Sequence, residues 1–144
     1  MNDREILFAI NTFKEQFGPK CGKYSGALTV ELIRSELENN GIQVSRRDVF
    51  IQGVPLEIDF LIPRRNAKPL NGLVYQPTDV LAVVEVKNAG SFGNSTIQTI
   101  RQNFKLIKEA IPSIFCCYLT LSERKGFKWA ITDNNSGGKT YTMF

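Results

Sequence analysis

Asp79-Val80-Leu81-Ala82-Val83-Val84-Glu85-Val86-Lys87 is the stretch that most limits what this chain can fold into. Its near-continuous aliphatic run, rich in β-branched valine, predicts a strand buried on both faces of a sheet. Such a strand needs a covering layer above and below, so the flanking segments must supply them. Two charges close the run, and strand alternation sets Glu85 and Lys87 on one face. A carboxylate and an ammonium beside a packed core are costly unless they are paired or put to use.

The flanks contain the required layers. Ile6, Ile10, Phe13 and Phe17 fall at helical spacing and predict a helix over 3–17, which Gly18-Pro19 stops. Residues 20–26 form a basic, glycine-punctuated loop. A second helix is expected over 27–39, with Leu28, Leu32 and either Ile33 or Leu37 facing inward and Asn40-Gly41 closing it. Asp48–Gln52, the turn Gly53-Val54-Pro55 and residues 56–62 read as a hairpin. In its second strand Leu56, Ile58, Phe60 and Ile62 share one face, and Glu57 and Asp59 share the other. Residues 64–78 make a long loop. After the central strand, Asn88–Asn94 is glycine-rich but lacks the Gly-Lys-Ser/Thr of a phosphate loop. Ser95 is placed to cap a helix reaching about Ala110, with Ile97, Ile100, Phe104, Ile107 and Ile111 as its apolar stripe. Strands follow over 114–121 and 127–132, and Tyr141–Phe144 offers an edge strand. A helix between two buried strands implies a parallel crossover. The expected architecture is α/β: one domain over 1–144, with a central mixed β-sheet and helices on both faces. Residues 1–19 are an extra helix and 24–121 the core.

Histidine is absent. That removes Ser-His-Asp and Cys-His catalysis, histidine-ligated zinc and histidine general bases. The three cysteines, adjacent Cys116 and Cys117 and a separate Cys21, form neither a disulfide framework nor a zinc spacing. Hydrolytic chemistry must then rest on carboxylates, lysine, tyrosine, backbone groups and a hard cation. A net charge of +4 permits a polyanionic partner without requiring one. No apolar run approaches the roughly 20 residues of a membrane span, and the N-terminus lacks the pattern of a signal peptide. An intracellular protein is expected.

Three carboxylates and one lysine are placed to converge: Asp59 on one strand, Glu85 and Lys87 on a neighbouring one, and Glu31 on the preceding helix. Two carboxylates can hold a hard cation through oxygen, the cation can lower the pKa of a bound water, and a lysine can orient or deprotonate that water or stabilise developing negative charge. Glu-x-Lys by itself is weak evidence, because Glu123-Arg124-Lys125 repeats it in a polar turn. The copy at Glu85 follows the apolar run Val80–Val84. The plainer reading is a same-face salt bridge at a strand end. Glu57 shares the face of Asp59 but lies farther from the strand's end.

Ile58-Asp59, 25 intervening residues and Glu85-Val86-Lys87, after a helix carrying Glu31, resemble the PD-(D/E)XK nuclease superfamily over about residues 24–121. The pattern is closest to small Holliday-junction-resolvase-like members. It departs from the superfamily in having Ile58 before Asp59 and an N-terminal helix outside the match. The resemblance implies a restriction endonuclease-like three-layer α/β/α fold. It also implies a DNA endonuclease in which Asp59, Glu85 and the Val86 carbonyl hold Mg2+ or Mn2+, with Glu31 as an additional ligand. Lys87 is then the catalytic lysine, and Gln102, with Gln98 one turn away, helps fix the site. Paired cuts would call for a homodimer. Lys23, Tyr24, Arg46, Arg47, Arg64, Arg65, Lys68, Arg101 and Lys105 are candidates for DNA phosphate contacts. The alternative is a non-catalytic nucleic-acid-binding or protein-interaction module that keeps the fold.

Overall fold

The computed structural model describes residues 22–88, 94–122, 126–131 and 139–142, with 5, 8, 9, 12, 15 and 16 before them. Those six are helical, and the rest of the helix expected over 3–17 lies outside the described residues. Helix α1, Gly22–Asn39, starts well before the expected position and takes in much of the anticipated glycine-punctuated loop. A glycine penalises a helix interior by only about 1 kcal/mol, so Gly22 and Gly26 do not stop it. Asn40-Gly41 does. Gly41 turns left-handed at φ 80°. Its N–H donates to the Glu38 carbonyl at 2.9 Å, and the Ile42 N–H donates to the Leu37 carbonyl at 3.0 Å, the paired bonds of a Schellman end.

The strands are β1 (Val49–Ile51), β2 (Glu57–Ile58), β3 (Phe60–Pro63), β4 (Val74–Tyr75), β5 (Val80–Asn88), β6 (Phe115–Ser122), β7 (Gly126–Ile131) and β8 (Lys139–Thr142). Helix α2, Asn94–Ala110, lies between β5 and β6. A three-stranded sheet runs β2-β1-β4, and a five-stranded sheet runs β3-β5-β6-β7-β8. β5 pairs parallel with β6, as the helical crossover requires, and antiparallel with β3, so the larger sheet is mixed. The long loop contains a short strand of its own: β4 pairs parallel with β1, with Phe50 opposite Val74.

β5 carries the two-faced burial its sequence demands. On one face Val84 and Val86 pack with Phe60, Cys117 and Leu119 under Val30 and Ile33 of α1. On the other, Val83 packs with Leu61 and Tyr118 under Ile100, Phe104 and Ile107 of α2. Among the described residues, α1 covers one face and α2 the other, which gives the three layers. The 3.6-residue stripe of α2 matches the expected one over its described side chains. No helix among the described residues is long and apolar enough to cross a membrane.

The expected hairpin strand over 56–62 is a single strand only in sequence. It breaks at Asp59 into β2, which pairs with β1, and β3, which pairs with β5. The break reverses the faces. Ile58 packs in the α2-side core and Phe60, two residues on, in the α1-side core. The expected sharing of one face by Leu56, Ile58, Phe60 and Ile62 is therefore incorrect, because alternation holds only while the strand stays extended.

Ser45 secures the outer side of β3. It is buried, its N–H donates to the Leu61 carbonyl at 2.8 Å, and its Oγ accepts from the Leu61 N–H at 2.9 Å. Ser45→Ala leaves that buried N–H without its acceptor. The expected cost is about 1–3 kcal/mol of unfolding free energy, read as a lower urea midpoint at unchanged slope.

Candidate active site

The site forms where β2 and β3 part. β5 stays paired with β3 only as far as Phe60 opposite Val84 and then runs on to Asn88. Its edge at Val86 therefore has no strand partner from β3. Asp59, at the break, takes that place: the Val86 N–H donates to Asp59 Oδ2 at 2.7 Å. A residue's N–H and carbonyl point to the same side of a strand, so the Val86 carbonyl lies along this edge beside the Asp59 carboxylate. The same break brings Asp59 close to Glu85.

Lys87 Nζ lies 3.3 Å from Glu85 Oε1, with the lysine side chain 47% exposed and the glutamate 21%. Burial pushes the Glu85 carboxyl up to about 7, the nearby Asp59 charge pushes the same way, and Lys87 opposes both. Burial also raises Asp59, against the pull of the Val86 N–H and Lys87, while Asp48 and Glu57 add to the rise. Asp48 stands next to the break: its N–H donates to the Asp59 carbonyl at 3.0 Å, and its own φ is 59°. Left-handed backbone is uncommon outside glycine, and Asp is among the residues that tolerate it.

Other sequence-derived candidates fall elsewhere. Glu31 does not join the group. Helix α1 covers the face of β5 that carries Val84 and Val86, opposite to Glu85, and Glu31 is paired there with Arg34 at 3.0 Å. Arg34 also donates to Glu38 at 2.9 Å and to the Ser45 carbonyl at 2.8 Å. Arg34 holds the Glu31 carboxylate through both Nε and Nη2, at 3.3 and 3.0 Å. Gln102 and Gln98 are exposed on α2. Four α2 residues line a cavity with Glu85, and Asn103 is the polar one among them; Glu57 lines it too. The sequence held a signal for Asn103: it sits three residues after Ile100 and four before Ile107, a polar residue on the apolar stripe.

The basic candidates divide into groups. Arg46 and Arg47 flank the break, with Arg47 Nε 3.1 Å from Asp48 Oδ2. Arg64 follows β3 at its other end, where its N–H donates to the Asp79 carbonyl at 2.7 Å and its Nε to the Thr78 carbonyl at 2.7 Å. Four strand residues separate it from Asp59, roughly 15 Å of strand, so Arg64, Arg65 and Lys68 do not flank the carboxylates. Arg101 and Lys105 lie on the exposed side of α2. Lys23 and Tyr24 begin α1, and their side chains lie outside the described ones. Cys116 and Cys117 are buried, and burial pushes the Cys117 thiol up to about 12, so it offers no thiolate nucleophile.

Among the described residues no three carboxylates and thiols come together as a closed cation cage. Two carboxylates on an open strand edge, beside a backbone carbonyl, suit Mg2+, which keeps several of its waters and uses one or two carboxylates. The repulsion that raises Glu85 is also what a cation would relieve. The donor set fits a hard divalent ion.

This mixed sheet, with its split strand and one helix layer on each face, is the restriction endonuclease-like α/β fold. The same fold occurs in NucC from E. coli MS115-1 in its cAAA-bound form, with a TM-score of 0.56 and 16% identity over 74% of this chain and 46% of that one. It occurs also in cAAA-bound NucC from P. aeruginosa ATCC27853, with a TM-score of 0.55 and 13% identity over 74% of this chain and 47% of that one. The chain thus spans about half the length of either NucC. No family model and no curated protein matches the sequence.

Proposed function

We propose that this chain is a metal-dependent nuclease that hydrolyses DNA phosphodiester bonds internally, with Asp59, Glu85 and Lys87 at its centre. The observation that carries this reading is the meeting of Asp59, Glu85 and Lys87 at a strand edge left open by the β2–β3 break. Asp59, Glu85 and the Val86 carbonyl would hold Mg2+ or Mn2+, which when bound supplies charge neutralisation at the scissile phosphate and a lowered pKa for its water. The Val86 N–H fixes the Asp59 carboxylate, so little reorganisation is needed there when the substrate arrives. Lys87, half-exposed beside Glu85, presents a mobile ammonium to the phosphate oxygens and to the charge that builds on them. Arg46 and Arg47, on the loop tied to Asp59, are positioned to contact flanking phosphates. One site cuts one strand, so paired cuts require two copies related by a two-fold axis.

Purified protein with Mg2+ or Mn2+ is expected to cleave at least one of a branched, a duplex and a single-stranded DNA, and EDTA is expected to stop it. Because both NucC structures hold cAAA, each substrate is assayed with and without it. Asp59→Ala should abolish cleavage while its circular dichroism matches the parent's. Equal cleavage by the variant would sink the assignment.

A further inference from the structure

The cavity behind Glu85 lies between β2, β5 and α2 and has room for about one water. Its wall is apolar apart from three side chains: Glu57, Glu85 and Asn103. Asn103 is the odd member. It is half-buried on the face of α2 that Ile100, Phe104 and Ile107 use to cover the sheet. An amide there costs free energy unless its hydrogen bonds are made, and an apolar residue would complete the stripe. Glu85 lines the same cavity and has Lys87 at its Oε1, and a carboxylate has a second oxygen with which to accept. A carboxylate accepts and an amide donates through NH2, and one water in between can accept from the amide and donate to the carboxylate.

Resting on the nuclease reading above, we infer that Asn103 is a positioning residue, its amide holding Glu85 through one water in the cavity behind the strand. The amide keeps the carboxylate turned toward the open edge and adds no charge to a site already crowded with carboxylates. Its effect passes through Glu85, so it should act on cation binding and on turnover and leave DNA affinity alone. Asn103→Leu replaces the amide with an apolar group of similar size. Asn103→Gln adds one methylene, which can displace the water and let the amide reach Glu85 directly.

The test measures Mn2+ affinity by calorimetry, and kcat and KM on the best substrate, for the parent and both variants. Asn103→Leu should weaken Mn2+ binding and lower kcat by about 10- to 100-fold, the usual effect of removing a group that orients a metal ligand, with KM unchanged. Asn103→Gln should recover most of both, which a role in packing alone would not produce. If Asn103→Leu does not fold, Asn103→Ala, which also lacks a donor, takes its place with the same expectation. A parent that cleaves beside an Asn103→Leu variant with equal kcat and Mn2+ affinity overturns the inference and leaves the nuclease reading standing. A change confined to KM overturns it in favour of a substrate contact. A parent that neither binds Mn2+ nor cleaves removes the nuclease reading itself, and the inference with it.

Discussion

Lys87→Met should lose roughly 100- to 1,000-fold in kcat, the scale of removing one group that stabilises transition-state charge, while unfolding at the parent's denaturant midpoint. The two halves belong together. The Lys87–Glu85 pair is half-exposed on the lysine side, and exposed pairs contribute at most about 1 kcal/mol, so stability has little to lose. If the pair were only a salt bridge at a strand end, both readouts would stay near the parent. Lys87→Arg keeps the charge but trades a compact, mobile ammonium for a planar fork, and it should restore little activity. Lys87 also has an indirect effect, because its charge holds the Glu85 carboxyl down against burial and Asp59. Without it Glu85 keeps its proton to higher pH and is a poorer cation ligand. Assaying at pH 9 separates the two, since Glu85 then ionises more fully in either protein. A defect that persists there belongs to the ammonium acting on the phosphate. Full recovery there would reduce Lys87 to a tuner of Glu85.

The parts of this fold legible in the sequence are those fixed by long hydrophobic runs. The Val80–Val84 run shows that β5 is buried on both faces, and the stripe through Ile100, Phe104 and Ile107 shows which side of α2 covers it. Together they imply the parallel crossover to β6. What stayed illegible depends on backbone bonding that side-chain periodicity does not record. The run 56–62 alternates cleanly, yet the chain turns at Asp59 because Glu57–Ile58 pairs with β1 while Phe60–Pro63 pairs with β5. β4 is too short, at two residues, to show a period. Glu31 points to a different limit. The sequence offers it as one more carboxylate, but Arg34 lies one turn away and claims it. Asn103 interrupts the apolar stripe of α2, a weak signal beside Gln102, which the resemblance points to and which is exposed.

Without divalent cation, the protein should lose stability as pH rises from about 5 to 8. Glu85 is the reason. Its carboxyl is held near 7 in the folded chain against an ordinary value of 4.5. Between those values the native state keeps a proton that the unfolded chain has released. The contribution is fully present below the unfolded pKa and is lost as pH climbs through the folded one. A shift of this size is on the order of 3 kcal/mol, and Asp59, raised in the same direction, adds to the slope. Glu85→Gln removes the titration. At pH 5 the variant and the parent should be of similar stability, and at pH 8 the variant should be the more stable by on the order of 2–3 kcal/mol, measured by urea unfolding in EDTA. A structural salt bridge predicts the reverse, because Glu85→Gln would then remove an attraction from the folded state at pH 8. Adding Mg2+ to the parent at pH 8 should recover the loss, by about 2.7 kcal/mol at 100 times the dissociation constant, and should do nothing for Glu85→Gln. Two carboxylates that destabilise the cation-free fold at neutral pH are placed for binding and at a cost to stability, which is how a site differs from a brace.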